Sequence, residues 1–473
     1  MLVALGLAGC AVGPRYTTPP APASAAGPFV SAASAAASAN EPVPPTWWRL
    51  FNDVSLDWLV QRALTENRDL ELAAANLAYA QGQVDEAGAG RYPSTDLSFG
   101  PGYGRTASDL QAHAPASFGW AGAFTAAYQV DLFGRIHRTI QAAKANAEAL
   151  AATEDATRVT VVAETAAAYA NLCGYGRQAS VARASLDVVQ KTYDLTVAQR
   201  NVGALSDFDV ERQGVLLEQA RAAIPPLEGQ RRAAMFALAA LTGMTPKQFP
   251  AAISACVTPP TVARPLPVGD GTALLRRRPD LRAAERQLAA ATYRIGVAAA
   301  DLYPTITLGG SVSSAASTLA GLVNSNVAYG LGSKSISTPL ITWTFPNILV
   351  AEARVKQARA QASAATASFD GTVLTALKEA ETALSTYATE IDHHAALAAA
   401  RDRAAAALKL AQTQYRLGSY SFLDLLQAEA TAVAADQALA ASDQTLAADQ
   451  VAVFQALGGG WEDAPAVKAP QIR

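Results

Sequence analysis

Asn67-Arg68-Asp69-Leu70 opens a helical run that stops at Arg91-Tyr92-Pro93, and Arg278-Pro279-Asp280-Leu281 opens another that stops at Leu302-Tyr303-Pro304. Residue 67 maps onto 278 and residue 93 onto 304, the same offset of 211 positions. Lys144 and Lys356 follow at an offset of 212. Asn201-Val202-Gly203 with Asp209 matches Arg416-Leu417-Gly418 with Asp424 at 215. A period this long is not a solenoid repeat. The chain is a duplicated domain, and its fold class is decided by what one copy contains.

Each copy has four parts. An amphipathic helix comes first, about 56–90 and 272–302. A Gly/Ser/Thr/aromatic stretch follows, about 92–133 and 304–345. Then comes a very long helix, about 135–201 and 348–416, and a returning helix, about 206–241 and 421–457. No proline interrupts residues 116–224 or 347–464, which leaves the helical hydrogen-bond ladder intact. Pro225-Pro226 is expected to kink or split the first returning helix. About 67 residues at ~1.5 Å each give a rod on the order of 100 Å. The two shorter helices, end to end, match that length.

The intervening stretches alternate with period two. Phe118, Trp120, Phe124, Tyr128 and Val130 share one parity, and Gly119, Ala121, Thr125 and Gln129 fill the other. Ile306, Leu308 and Val312 alternate with Thr305, Thr307 and Ser311. This pattern fits a half-buried sheet or membrane-barrel strands. Each stretch holds two strands of about ten residues, the spanning length of a tilted strand. Four strands per chain cannot close a membrane barrel, whose smallest form has about eight. Several chains must therefore contribute.

Composition agrees with rods. Apolar residues make up 51% of the 473, yet charged residues are only 16%. Alanine supplies much of the apolar share, favouring close-packed helices over one large core. The net charge of −3 gives no reason to expect nucleic acid. No nucleotide loop, GxSxG, HExxH or metal cluster is present, so an enzyme is the weakest class and no cofactor is implied. His113, His137, His393 and His394 lack ligand spacing, and the adjacent pair reads as surface. Cys173 and Cys256 read either as a periplasmic disulfide or, the commoner state for cysteines so far apart, as two small thiols. Arg276-Arg277-Arg278 reads as a solvated helix start, and Glu164, Glu379 and Glu381 as solvated helix faces.

The N-terminus reads as an address. Residues 2–8 are short and apolar, too short for a membrane span. Leu7-Ala8-Gly9-Cys10 has the form of a bacterial lipobox, with Cys10 the lipidated first mature residue. No basic n-region precedes it, so the start codon is expected upstream. The Pro/Ala/Ser tract to Pro45 cannot bury a core and reads as a tether. The expected organisation is an export signal (1–9), a lipidated tether (10–45), a first repeat (46–243), an insert (244–271), a second repeat (272–458) and a tail (459–473).

In order along this frame stand Cys10-Ala-Val-Gly-Pro-Arg-Tyr16, Trp47-Trp48, Val130-Asp-Leu-Phe-Gly-Arg135, Leu274-Leu-Arg-Arg-Arg-Pro-Asp280 and Ile295-Gly-Val-Ala-Ala-Ala-Asp-Leu-Tyr-Pro304. Taken together they resemble the TolC/OprM-like outer-membrane factors, in the lipoprotein branch with the NodT-like efflux proteins. The resemblance covers nearly the whole chain. It implies a mainly α fold with membrane β: a homotrimer with a twelve-stranded β-barrel and a long α-helical periplasmic barrel. It implies release of a lipid-anchored chain to outer-membrane lipid, since Ala11, not Asp, follows Cys10. It also implies partners, namely a periplasmic adaptor (membrane fusion) protein and an inner-membrane RND pump. Residues 243–271 and the C-terminal end would form a belt around the tunnel. Thr344-Phe-Pro-Asn347 departs from the family's usual Phe-Asp-Gly-Gly turn.

The candidate site lies at the tip. Gly203 and Gly418 read as C-caps that let the chain reverse. Ser206-x-x-Asp209 and Ser421-x-x-Asp424 have two readings. One is a capping box. The other, implied by the resemblance, places Asp424 of Phe422-Leu-Asp-Leu-Leu-Gln427 in an acidic ring at the periplasmic mouth. It also has Tyr415 bonding Asp209 to hold that mouth shut. Gln427 stands where some relatives have a second acid, and Tyr420 where the lock has an arginine. Two other functions compete: the exit duct of a type I protein secretion system, whose members generally lack the lipobox, and a periplasmic coiled-coil adaptor or structural lipoprotein, which would lack the duplicated strand pairs.

Overall fold

A computed structural model describes residues 11–20, 22, 25, 27–33, 37–39, 41–104, 115–316, 319 and 336–467. Cys10 lies outside the described residues. The first helical part of each copy is two helices, not one. In the first copy α1 (Val54–Glu66) is followed by α2 (Arg68–Ala89), and the break is Asn67. Its backbone is extended, and its Oδ1 accepts from the N–H groups of Asp69 (2.8 Å) and Leu70 (3.2 Å), an N-cap for α2.

Strands β1 (Ser94–Gly104) and β2 (Ser117–Val130) come next, then α3 (Arg135–Asn201) of 67 residues. The returning part is split into α4 (Asp207–Ala222) and α5 (Ile224–Leu241) at Ala223, where Pro225 and Pro226 enter α5's first turn.

The second copy repeats this plan with α6 (Gly271–Arg277), α7 (Pro279–Ala300), β3 (Thr305–Ala316), β4 (Ile336–Thr344), α8 (Ile348–Arg416) and α9 (Phe422–Ala456). Here the α6–α7 break is Arg278, extended, with Pro279 as the first residue of α7. One returning helix is split and the other is not, because only the first carries the proline pair.

Two compact units are formed, and they are not the two copies. The residues of one fall within Met1–Pro19, Leu77–Leu150 and Ala284–Phe369; those of the other within Pro20–Asn76, Ala151–Ala283 and Asp370–Arg473.

The first unit carries one antiparallel sheet in the order β1-β2-β3-β4. Each copy supplies a strand pair, and β2 joins them by pairing with β3, from Val130 opposite Ile306 to Trp120 opposite Ala316. Below it, Ala145, Ala289 and Ala290 are fully buried beside Tyr16 and Tyr293. Alanine at these contacts lets helix backbones approach closely.

The second unit holds the larger core. Trp47 is completely buried and stacks on Phe454 with ring centroids 4.8 Å apart. Its Nε1 donates to the Gly459 carbonyl at 3.2 Å. The tract before it is not wholly a free tether, because Phe29 and Val43 belong to this core. Cys173 and Cys256 are joined by a disulfide, with Cα atoms 4.8 Å apart, so the two-thiol reading does not hold. The bond ties the segment after α5 to α3. The tie needs close approach, since a Cβ on Gly176 would lie 2.1 Å from the Cys256 carbonyl oxygen.

Three surface readings are corrected. Arg278 is buried; it donates to the Ala456 carbonyl at 2.9 Å and pairs with Asp280 (2.7 Å) and Glu379 (2.8 Å). A side chain at a helix break, closing a free carbonyl at the end of α9, is pulled inward by that task. Glu381 accepts from the backbone N–H groups of Val30 (2.7 Å) and Ser31 (2.9 Å), so it docks the N-terminal tract. His394 is half-buried against Asp443 at 2.8 Å, while His393 stays exposed beside Glu390.

Candidate functional site

Among the described residues, two places bear on function: the sheet and the two tip turns.

In the sheet, residues opposite one another share a face. Leu97 faces Phe124, which faces Val312; Tyr103 faces Phe118; Tyr128 faces Leu308. All the large apolar and aromatic residues of β1–β3 thus fall on one face, where Phe99 stacks on Trp120 at 5.5 Å. The other face pairs Asp96 with Thr125, Thr125 with Ser311, and Gln129 with Thr307.

A water-soluble sheet buries its apolar face; this one does not. Leu97 and Tyr103 are each 77% exposed, and Phe124 is 46% exposed. Among the described residues, the outer edges of β1 and β4 also have no partner strand. Unpaired edges are untenable in hydrocarbon. Among the described residues, no helix is long and apolar enough to cross a membrane.

At the tip, α3 and α8 end alike. Gly203 (φ +75°) donates to the Arg200 carbonyl and Ala204 to that of Gln199. Gly418 (φ +76°) donates to the Tyr415 carbonyl and Ser419 to that of Gln414. These are paired reversals of the Schellman type, which need the left-handed conformation that glycine adopts without strain.

Both capping boxes form. Asp209 Oδ2 accepts from the Ser206 N–H (3.0 Å) and hydroxyl (2.7 Å), and the Asp209 N–H donates to Ser206 Oγ at 3.3 Å. Asp424 makes the same set with Ser421 at 2.9, 2.6 and 3.2 Å. The serine hydroxyl, and after it the backbone N–H, hold each carboxyl below the ordinary aspartate range. Asp424 is exposed and Asp209 partly so. Capping therefore uses one oxygen and keeps the charge.

Tyr415 does not reach Asp209. Its hydroxyl donates to Gln199 Oε1 at 2.7 Å, a bond between the last turns of α8 and α3. The Tyr415 ring sits 5.9 Å from Phe422, beside a small core of Ala411, Leu425 and Leu426. Arg200 binds Asp207 at 2.7 Å, a second tie across the first turn.

Sequence reading missed Glu429. It is 2% exposed on α9, takes a hydrogen bond from the Thr192 hydroxyl at 3.0 Å, and burial pushes its carboxyl up. Its signal was available, as a lone acid at helical spacing in the stripe Phe422, Leu425, Ala432. Among the described residues, no group of acids, histidines or cysteines is arranged to hold a metal ion.

The chain compares with known proteins as follows. The family model described as outer membrane efflux protein matches it twice, over residues 59–244 and 272–459. Nodulation protein T of Rhizobium leguminosarum bv. viciae is 30% identical over 469 residues, covering 98% of this chain and 93% of that protein. Outer membrane protein OprJ of Pseudomonas aeruginosa is 30% identical over 472 residues, covering 98% and 95%. The solved structure of the outer-membrane channel OprN superposes with a TM-score of 0.86 at 33% identity, covering 96% of this chain and all of that one. A duplicated helical frame, a strand pair in each copy and a family model matched once per copy lead to one conclusion: this chain belongs to the outer membrane efflux protein family, as an efflux channel of the outer membrane.

Proposed function

We propose that this chain is one third of a homotrimeric exit duct in a tripartite, RND-type efflux system, carrying small toxic compounds across the periplasm and outer membrane. Three four-stranded sheets close edge to edge into a twelve-stranded barrel, with the aromatic face toward lipid and the Ser/Thr/Gln face toward a water-filled lumen. Cys10 carries the acyl anchor. The segment 244–271 and the C-terminal end form a belt on the periplasmic part. The tip turns at Gly203 and Gly418 meet a periplasmic adaptor, and through it an inner-membrane pump. Three copies of Asp424 ring the mouth, where like charges in a narrow opening attract cations.

The observation that carries this reading is the sheet whose apolar face is uncovered and whose two edges are unpaired among the described residues. Only lipid and further strands satisfy both at once. The test is fractionation of cells producing the full chain, with heated and unheated samples compared by electrophoresis. A heat-modifiable trimer in the outer-membrane fraction, conducting in planar bilayers, is the expected result. A soluble periplasmic monomer would overturn the reading.

A further inference from the structure

Glu429 is closed off from solvent on α9, and its carboxyl group is poorly satisfied. Oε1 accepts from the Thr192 hydroxyl at 3.0 Å. That hydroxyl has a single proton, and it also lies 3.3 Å from the Val188 carbonyl oxygen. Oε2 is buried and has no hydrogen-bond partner among the described residues. A buried carboxylate without partners is costly, and burial accordingly pushes this carboxyl up. An apolar side chain would continue the buried stripe of Phe422, Leu425 and Ala432 without that cost.

The carboxyl borders a cavity of about 200 Å³ between α3, α8 and α9. The walls are largely apolar, with Val188 on α3, Leu408 on α8 and Val433 on α9. Glu429 and Asp436 are the charged residues that line it, and none of its described lining residues is basic. Glu429 is 2% exposed and forms the floor, whereas Val188 is 37% exposed and Asp436 is exposed at the rim. The cavity is therefore negative at its floor, apolar along its walls and open at one end.

We infer that this cavity binds a small organic ammonium compound, with the Glu429 carboxylate as its counter-ion and the apolar walls around its hydrocarbon part. An ammonium group brings both the opposite charge and the donors that Oε2 lacks. A hard metal ion takes about six oxygen ligands or more. Among the described residues no group of acids, histidines or cysteines is arranged to hold one. At ~30 Å³ for each water-sized group, the cavity takes about six such groups. A bound compound touches α3, α8 and α9 together, and so holds three helices of one chain against each other. The site goes beyond the duct reading and does not depend on it, because one chain supplies every residue named.

The test uses the full chain purified from membranes in detergent. The probe is n-butylammonium chloride, with n-butanol and sodium chloride as controls at equal ionic strength. By calorimetry the wild type should take up one butylammonium per chain, and its thermal midpoint should rise saturably; n-butanol and sodium should do neither. Glu429→Gln keeps an acceptor for Thr192 and removes the charge. It should weaken butylammonium binding by roughly thirtyfold or more without lowering the unliganded midpoint. Ala184→Leu, on the exposed α3 wall, narrows the cavity and leaves the carboxyl in place; it should weaken binding too. Binding that survives Glu429→Gln, or n-butanol that binds as well as butylammonium, makes the cavity an apolar void and overturns the site. A wild type that takes up no butylammonium overturns it as well, leaving Glu429 a protonated core residue. Should Glu429→Gln fail to accumulate, Ala184→Leu decides: undiminished binding there puts the compound elsewhere and overturns the site.

Discussion

Asp424 does two jobs with one carboxylate. It accepts the Ser421 N–H and hydroxyl, and it remains exposed and charged. Asn at this position keeps an acceptor oxygen for the cap and removes only the charge. Asp424→Asn trimers should therefore fold normally and lose cation preference in planar bilayers; unchanged selectivity would leave the residue a cap alone. The pH dependence has a definite sign. Because its folded value is depressed, the stabilisation is fully present above the unfolded value of about 4 and is lost as pH falls through the lower folded one. Cation preference should accordingly persist through mildly acidic pH. Tyr415 is a second case. Removing its hydroxyl deletes one hydrogen bond, worth about 1 kcal/mol per subunit. Since its partner is Gln199, Tyr415→Phe and Gln199→Ala should raise closed-state conductance alike, and the double variant should add nothing further. Asp209→Asn should leave that conductance unchanged.

The elements were mostly legible as elements. Proline-free runs and glycine stops predict α3 and α8 almost to the residue, and the proline pair predicts the split at Ala223. The breaks at Asn67 and Arg278 were half legible: each motif marks a helix start, but the helix just before it was read as continuous. Capping chemistry is local and leaves a sequence signature. What ends α6 is local, since Pro279 pushes Arg278 into extended backbone; what is not local is the inward turn of the Arg278 guanidinium to the Ala456 carbonyl. The Cys173–Cys256 bond was equally hidden, since spacing along the chain says nothing about two residues 83 apart. In the loop-entropy account, closing a loop of that length stabilises by about 4.5 kcal/mol. Cys256→Ser should lower the thermal midpoint accordingly and make residues 244–271 the first site of proteolysis. A midpoint unchanged in oxidising buffer would show that the segment is already held by Val262, Leu266 and Val268, which are buried in the core of the second unit.

At the scale of the molecule, the sheet is the feature that one chain leaves incomplete. Its two faces differ in kind, so substitutions one residue apart should differ in effect. Phe124→Arg places a charge on the aromatic face, at a cost of about 2–4 kcal/mol if that face meets the middle of a bilayer. It should sharply reduce the heat-modifiable trimer in the outer membrane. Thr125→Arg, on the Ser/Thr face, should leave the trimer and alter its conductance. Equal loss in both would mean the aromatic face is not the lipid face. The two compact units also cut across the sequence repeat, because each takes segments from both copies. Duplication is a fact of the chain; the units are set by which segments touch.

The sequence by itself determined the duplication, the lengths of the two long helices, the strand parity and the glycine reversals, because each is fixed by a residue's near neighbours through backbone sterics, capping and period. It also set the strand count, and with it the need for more than one chain. Tertiary structure alone decided the partner of Tyr415, the disulfide and the burial of Arg278. Those depend on which distant groups arrive within hydrogen-bonding or bonding distance. Burial then changes the meaning of a charge that, read along the chain, belongs to a solvated helix face.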